Sequence, residues 1–362
     1  MTRLSLLLAL VLALGACGGE SEPAPSTSTG HGHGHGHGHQ ADPPPTTGSS
    51  LVTEAHGVTD HGAPTVREES DAPPVHLVHL SGTARGETAP LAEGDALEHR
   101  ARITVEEGGE ATLETSDGDR LVLFGPATAQ IGDRGGASLH LASGMCHVRL
   151  PPGPAGPRAP LRIATPESSI ELIGPGEVLI DADRSGATWN VVMAGLSRLG
   201  TGEADAHHHA RTLDVPNSTA LLVVDEPSEP TQGPIRLDEA RAAARAIFAT
   251  ASPIEPGRAA ERVRRAGTSV DAAFGWLEAE ARHGQELTDQ HRAAVAAGRS
   301  DDAMRIQGEL VDHAQELHAL RDTARFRWER LSVLVLAGAV PAGEPDPLAA
   351  RRDRATSLLG LE

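Results

Sequence analysis

Between Val75 and about Asp225 the apolar residues come in short runs that alternate with polar ones, and this period of two is the strongest constraint on the fold. Such runs are Arg102–Glu106, Ala111–Thr115, Arg120–Phe124, Leu161–Ala164, Glu177–Asp181 and Thr188–Val192. Turn-forming clusters separate them, among them Glu107-Gly108-Gly109, Asp117-Gly118-Asp119, Gly132–Gly136 and Arg184-Ser185-Gly186. About ten strands at such close spacing predict an all-β domain of short antiparallel strands, sandwich-like or solenoid-like, over residues 75–226. The Pro/Gly-rich stretch Pro151–Pro160 divides it into two blocks, and Pro227–Pro234 closes it.

The period then changes to that of a helix. Leu237, Ala240, Ala244, Ile247 and Phe248 share one face of a short helix over Asp238–Ala251. Val270, Phe274, Leu277 and Ala281 continue at spacings of three and four. After Gly298-Arg299-Ser300 a second stripe runs through Ile306, Leu310, His313, Leu317, Leu320 and Ala324 to Trp328, Leu331 and Val335. Ser300 reads as an N-cap, with Asp301 and Asp302 in the first turn. Two long helices joined by so short a turn pack antiparallel, as a coiled-coil-like hairpin. The helical region is read as 235–362. Trp276 and Phe326 fall off the stripes and require a second surface: the β domain, the short helix or another molecule.

The first residues have the layout of a secretory signal over 1–16: Arg3, an apolar stretch Leu4–Leu14, then Leu14-Gly15-Ala16-Cys17. The apolar stretch is too short to span a bilayer of roughly 30 Å. The last four residues resemble a bacterial lipobox, which implies that Cys17 becomes a diacylated, palmitate-bearing N-terminus. The expected location is the cell envelope. Gly18 rather than Asp after the cysteine favours the outer membrane, facing the periplasm or the surface, over the inner membrane. Residues 17–74 are rich in Pro, Gly, Ser, Thr and His and read as a disordered tether. As a flexible coil it has an r.m.s. span of roughly 40 Å.

The 362-residue chain carries a net charge of −19 and has neither Lys nor Tyr. Its acidity, with no basic patch, excludes nucleic acid as a partner. With Cys17 lipidated, Cys146 is the lone thiol and no internal disulfide forms, so packing must hold the fold. Only seven aromatic residues (Trp 3, Phe 4, Tyr 0) are available, so that packing is aliphatic.

The β region carries, in order, Gly94-Asp95-Ala96-Leu97, the strand pair around Asp117-Gly118, Gly125-Pro126-Ala127-Thr128, Leu141–Val148 with Gly144 at its centre, Ile163–Pro166 with Thr165-Pro166, and Val192–Gly195. This ordered set resembles the periplasmic domain of the FecR family. Together the motifs cover about 120 residues. The chain departs from the family at Gly174-Pro175-Gly176, where the family has Gly-Thr. FecR proteins relay a signal from an outer-membrane receptor to a cytoplasmic sigma factor, which needs a cytoplasmic segment and a membrane-spanning helix. No apolar run after the signal reaches 18 residues, so the sigma-regulating part is absent from this reading. The resemblance therefore implies an all-β recognition or scaffold module, not an enzyme.

His31, His33, His35, His37 and His39 alternate with Gly and suit Zn²⁺, Ni²⁺ or Cu²⁺, which makes a metal-sequestering lipoprotein the alternative function. No cofactor is required otherwise. His207-His208-His209 reads as a surface loop, and Cys146 as a buried small apolar residue. Glu280 and His283 make one Glu-x-x-His, but Glu309, Asp312, His313 and Glu316 do not supply the second that a bundle di-metal site needs. No Gly-x-Ser-x-Gly, His-Glu-x-x-His or phosphate-loop motif occurs. The expected partners are the membrane through the anchor, an envelope protein or cell-wall component, and a second copy through the hairpin. Deleting His31–His39 is expected to remove most tight Zn²⁺ or Ni²⁺ binding at neutral pH and to leave thermal stability in chelator unchanged. Titration calorimetry and a melting curve measure both.

Overall fold

A computed structural model describes residues 75–133, 136–153, 160–204, 210–224, 226–340 and 343–361. They belong to one compact unit, Ala72–Glu362. Cys17, His31, His33, His35, His37, His39 and His207–His209 lie outside the described residues.

Two long strands organise the sheet, β6 (Arg120–Ile131) and β7 (Leu139–Leu150). They pair antiparallel along their length, but the register breaks between Phe124↔Met145 and Thr128↔Ser143. The break coincides with Gly125-Pro126 on one strand and Gly144 on the other. A Cβ on Gly144 would stand 2.5 Å from the Pro126 carbonyl oxygen and 2.6 Å from the Ala127 Cα. The Gly144 φ of +94° is likewise one that side chains disfavour. Only glycine lets the two backbones approach this closely at a bend.

The bend sends the two halves of the pair into two layers. In the first, β5 (Glu110–Thr115) joins the start of β6, and β1 (Val75–Ser81) joins β5. On the other side β10 (Gly176–Ala182), β11 (Thr188–Ala194) and β14 (Thr219–Val224) follow the end of β7, all antiparallel. In the second layer, β4 (Arg102–Val105) joins the end of β6. There β8 (Leu161–Ala164) joins the start of β7 in the one parallel pairing described, followed by β9 (Ser168–Leu172), β12 (Leu196–Ala204) and β13 (Ala210–Pro216). The short strands β2 (Ala84–Arg85), β3 (Ala96–Leu97), β15 (Glu226–Pro227) and β16 (Thr231–Gln232) close the edges.

One aliphatic core lies between the layers. Leu77, Leu113, Leu121, Leu123, Val148 and Ile180 enter it from one side, and Ile103, Ile131, Leu139, Leu141, Ile163 and Ile170 from the other. Each alternates with residues on the outer faces, as the period of two demands. Cys146 is fully buried in this core, and burial pushes its thiol up to about 12, so it is an inert apolar residue. The antiparallel β domain followed by a helical region is the expected fold. Among the described residues sixteen strands occur rather than about ten, four of them two-residue edge strands that carry no period. The segment Thr201 to Ala210, which the sequence pattern reads as poor in strand, is partly strand, since β12 runs to Ala204 and β13 begins at Ala210.

Helices cover both outer faces. Helix α1 (Leu237–Phe248) lays Ala240 and Ala244 over Met145, Leu179, Trp189, Val191 and Met193 of the first layer. Helices α2 (Pro256–Ala296) and α3 (Ser300–Leu336) form the expected antiparallel hairpin. The C-terminal half of α3 rests on the second layer, with Val333 and Leu336 against Ala137, Ala142 and Ala164. Helix α3 starts one residue earlier than expected: Arg299, not Ser300, is its N-cap, with no side-chain cap bond, and Asp301 and Asp302 lie in the first turn. A short helix α4 (Arg352–Leu359), too brief to show a period, buries Ala355 and Leu359 against the hairpin.

Gly144→Ala combines the positive φ with overlap of backbone atoms and is expected to cost at least about 2 kcal/mol. Gly118→Ala, at φ +79° with open space around it, should cost only about 1 kcal/mol. Urea unfolding of the two variants measures the contrast.

Candidate functional site

The turn between β8 and β9, Thr165-Pro166-Glu167-Ser168, is where the sheet meets the hairpin. Its local fold is dictated by Thr165, whose Oγ1 accepts from the Ser168 N–H at 3.0 Å and lies 2.9 Å from the Ser168 carbonyl oxygen. The Thr188 hydroxyl donates to Thr165 Oγ1 at 3.1 Å from β11. This closes the turn and leaves the Pro166 carbonyl and the Glu167 carboxylate directed at the helices. Arg330 of α3 donates to the Pro166 oxygen at 2.9 Å and to Glu167 at 3.2 Å. Arg262 of α2 pairs with the other Glu167 oxygen. Glu167 is 1% exposed, so one buried carboxylate holds an arginine from each helix of the hairpin.

A second buried pair lies beside it. Glu329 of α3 accepts from Arg162 of β8 at 3.3 Å. Burial raises the Glu329 carboxyl above its ordinary range, against the pull of Arg162, Arg325 and the Ala137 N–H. Burial and the neighbouring Arg330 lower the Arg262 guanidinium to about 10. At the far end Trp328 Nε1 approaches Asp133 at 3.5 Å, and Arg100 pairs with the same carboxylate. The off-stripe Phe326 finds its second surface here, its ring 3.4 Å from where a Cβ on Gly200 of β12 would stand. Trp276 lies under the Arg327 guanidinium, 4.9 Å from the ring centre.

The motif residues of the β region are dispersed rather than gathered into one site. Gly94 and Asp95 form the turn that delivers β3 onto β1, with Leu97 buried opposite Val75. Asp117-Gly118 closes the β5–β6 turn, where the Gly118 N–H donates to the Thr115 oxygen at 2.9 Å. Gly144 makes the bend, and Thr165-Pro166 makes the docking turn. Gly195 ends β11 against the Gly174-Pro175-Gly176 loop, its Cβ position 2.6 Å from the Pro175 oxygen. That turn and the departure from the FecR pattern therefore share one corner, where Ile173 and Leu196 are each 45% exposed.

In the hairpin, His313 Nδ1 meets Glu280 at 2.6 Å, and the His283 ring stands 5.7 Å from the His313 ring, edge to face. The other edge of the His313 ring faces Gly284, where a Cβ would collide with it. His313 thus packs at the helix boundary. Among the described residues no three His, Cys, Asp or Glu side chains converge as a metal site.

His140, invisible to motif reading, is buried beneath α3. It lies between the core residues Leu139 and Leu141 and faces the opposite way, as does Ala142. It is 3% exposed, and neither ring nitrogen meets a hydrogen-bond partner among the described residues. Burial pushes its pKa down to about 4, against the opposing charge of Asp133.

No family model matches the chain, and no curated protein matches it. Two crystal structures of a candidate anti-sigma factor from Parabacteroides distasonis ATCC 8503 align with 36% of this chain and 59% of theirs. Both have a TM-score of 0.29, and their identities are 12% and 11%. The alignment thus spans less than two thirds of either neighbour. Among the described residues no helix is long and apolar enough to cross a membrane.

The folded state holds His140 neutral, so its contribution to stability is complete above the unfolded pKa near 6.5 and is lost as pH falls toward 4. Asp181, pushed up to about 6 by burial and by Asp183, acts in the opposite sense over the same range. The difference between chains isolates the histidine. From pH 7 to pH 4, wild type should lose roughly 3 kcal/mol relative to His140→Leu, as measured by urea midpoints.

Proposed function

We propose that this chain is a non-enzymatic, lipid-anchored envelope protein. Cys17 carries the anchor, and the FecR-like β module is a rigid base that holds a helical hairpin at a set angle. The observation that carries this reading is the buried Glu167, clamped by Arg262 and Arg330 from the two helices. Loss of either arginine leaves a buried carboxylate short of charge, so the hairpin cannot swing away cheaply. The sheet contacts come from the start of α2 and the second half of α3. Beyond them Ser300–Leu317 extends about 27 Å along α3 at 1.5 Å per residue. Its own buried core is small: Leu287, Ala294 and Ile306. A base with a protruding rod suits presentation to another envelope component better than turnover of a small molecule.

The reading from a different class is metal sequestration by His31–His39, which rests on the His-Gly alternation alone. The anchor is tested by Cys17→Ser. The variant is expected to leave the membrane fraction after a high-salt wash and to keep the wild-type circular dichroism. Its retention on the membrane would count against the anchor.

A further inference from the structure

We propose that His140 makes the docking of the hairpin acid-sensitive: its ring takes up a proton only when α3 lifts from the second layer. This device regulates the base-and-rod arrangement proposed above and rests on that reading.

Helix α3 covers a polar group that the sheet itself cannot satisfy. His140 and Ala142 share the outer face of β7, where Val333 and Leu336 of α3 seal them in. Neither His140 ring nitrogen has a hydrogen-bond partner among the described residues. Its cross-strand neighbours are Gln130 of β6 and Ala164 of β8. Ala164 has no polar side chain, and Gln130 Nε2 donates to the Arg100 carbonyl oxygen at 2.9 Å. A neutral imidazole buried in this way forgoes one donor and one acceptor. An imidazolium would bury two donors and a charge, which costs far more.

The charges around the junction leave no carboxylate free for a further cation. The sheet side contributes Arg100, Arg102, Arg162 and Asp133, and α3 contributes Arg325 and Glu329. Asp133 acts on His140 through its charge, but it already pairs with Arg100 and stands 3.5 Å from Trp328 Nε1. Glu329 is taken by Arg162, and the neighbouring Glu167 by Arg262 and Arg330. His99 is tied through Nδ1 to the Gly132 carbonyl oxygen. A proton on His140 therefore enters together with an opening, and the cheapest opening is at α3. The seal there is small, with Val333 and Leu336 resting on Ala137, Ala142 and Ala164. The other face of β7 belongs to the large interlayer core, and ladders to β6 and β8 hold the strand on both sides.

Thiol accessibility in the full chain tests this, on a Cys17→Ser background with circular dichroism to verify folding. Ala142→Cys places a thiol beneath α3, while the buried Cys146 reports on the interlayer core. Dithiodipyridine reacts with thiols at acid pH, and its rate against free cysteine at the same pH gives the protection of each site. Between pH 7 and pH 5 the introduced thiol is expected to lose protection about twentyfold relative to the same chain with His140→Leu, the effect on docking of a pKa held at about 4 rather than 6.5. Cys146 should stay protected throughout. Burial raises the Glu329 carboxyl, so its protonation favours docking and has the opposite sign; the comparison with His140→Leu cancels it. Should either variant not fold, Ala164→Cys in the same cluster or His140→Gln takes its place. The same pH response with and without His140 would overturn the proposal. Exposure of Cys146 together with the introduced thiol would also overturn it, since the β unit and not the docking would then be what opens. Both readouts concern docking alone, so they fail separately from the anchor and from presentation to a partner.

Discussion

The close approach of β6 and β7 at Gly144 is the constraint on which the rest of the β unit depends. Both layers hang on that strand pair, since each layer contains one half of each strand. Without the bend the two halves would continue as one flat ladder, and the aliphatic residues now facing each other would face solvent. The core is built almost wholly from Leu, Val, Ile and Ala, and Cys146 has no described thiol partner. Aliphatic packing between bent layers therefore supplies what larger aromatic side chains or a disulfide supply in other small β domains.

The helical region is attached by a different kind of interaction. Apolar contact between sheet and hairpin is modest, with small alanines meeting Val333 and Leu336. Orientation comes instead from buried charge: Glu167 between Arg262 and Arg330, and Glu329 against Arg162. Buried ion pairs are weak sources of net stability because desolvation offsets their attraction, but an arrangement that leaves one partner alone is strongly disfavoured. A junction of this type specifies geometry more than it adds stability, which is what a base carrying a rod needs. The Thr165-Pro166 step, read from sequence as one motif among several, proves to be the point where that geometry is set.

Farther out the hairpin is held by its own seam, and the fit there is local. His313 occupies the space that Gly284 leaves open and is oriented by Glu280. This explains a histidine on an apolar stripe without invoking a ligand. The distal rod buries few side chains internally, with Leu287, Ala294 and Ile306 as its core.

The alternation between Val75 and Asp225 determined that this region is antiparallel sheet, because a period of two places one set of side chains on one face. The spacing of three and four after Leu237 likewise determined the helices, their faces and the hairpin turn. Cys146 as an apolar core residue and His313 as a packed histidine were also legible, since their neighbours in the pattern already placed them. Tertiary structure alone decided the two-layer arrangement, because the bend depends on distance between backbones at Gly144 and Ala127, which no local pattern encodes. It alone revealed Glu167, Arg262 and Arg330 as one cluster, since residues 95 and 163 positions apart meet only when the hairpin docks. It also turned His140 from one polar residue in a strand into a buried ring held neutral, because burial depends on what covers a face, and here the cover is a helix from the far end of the chain.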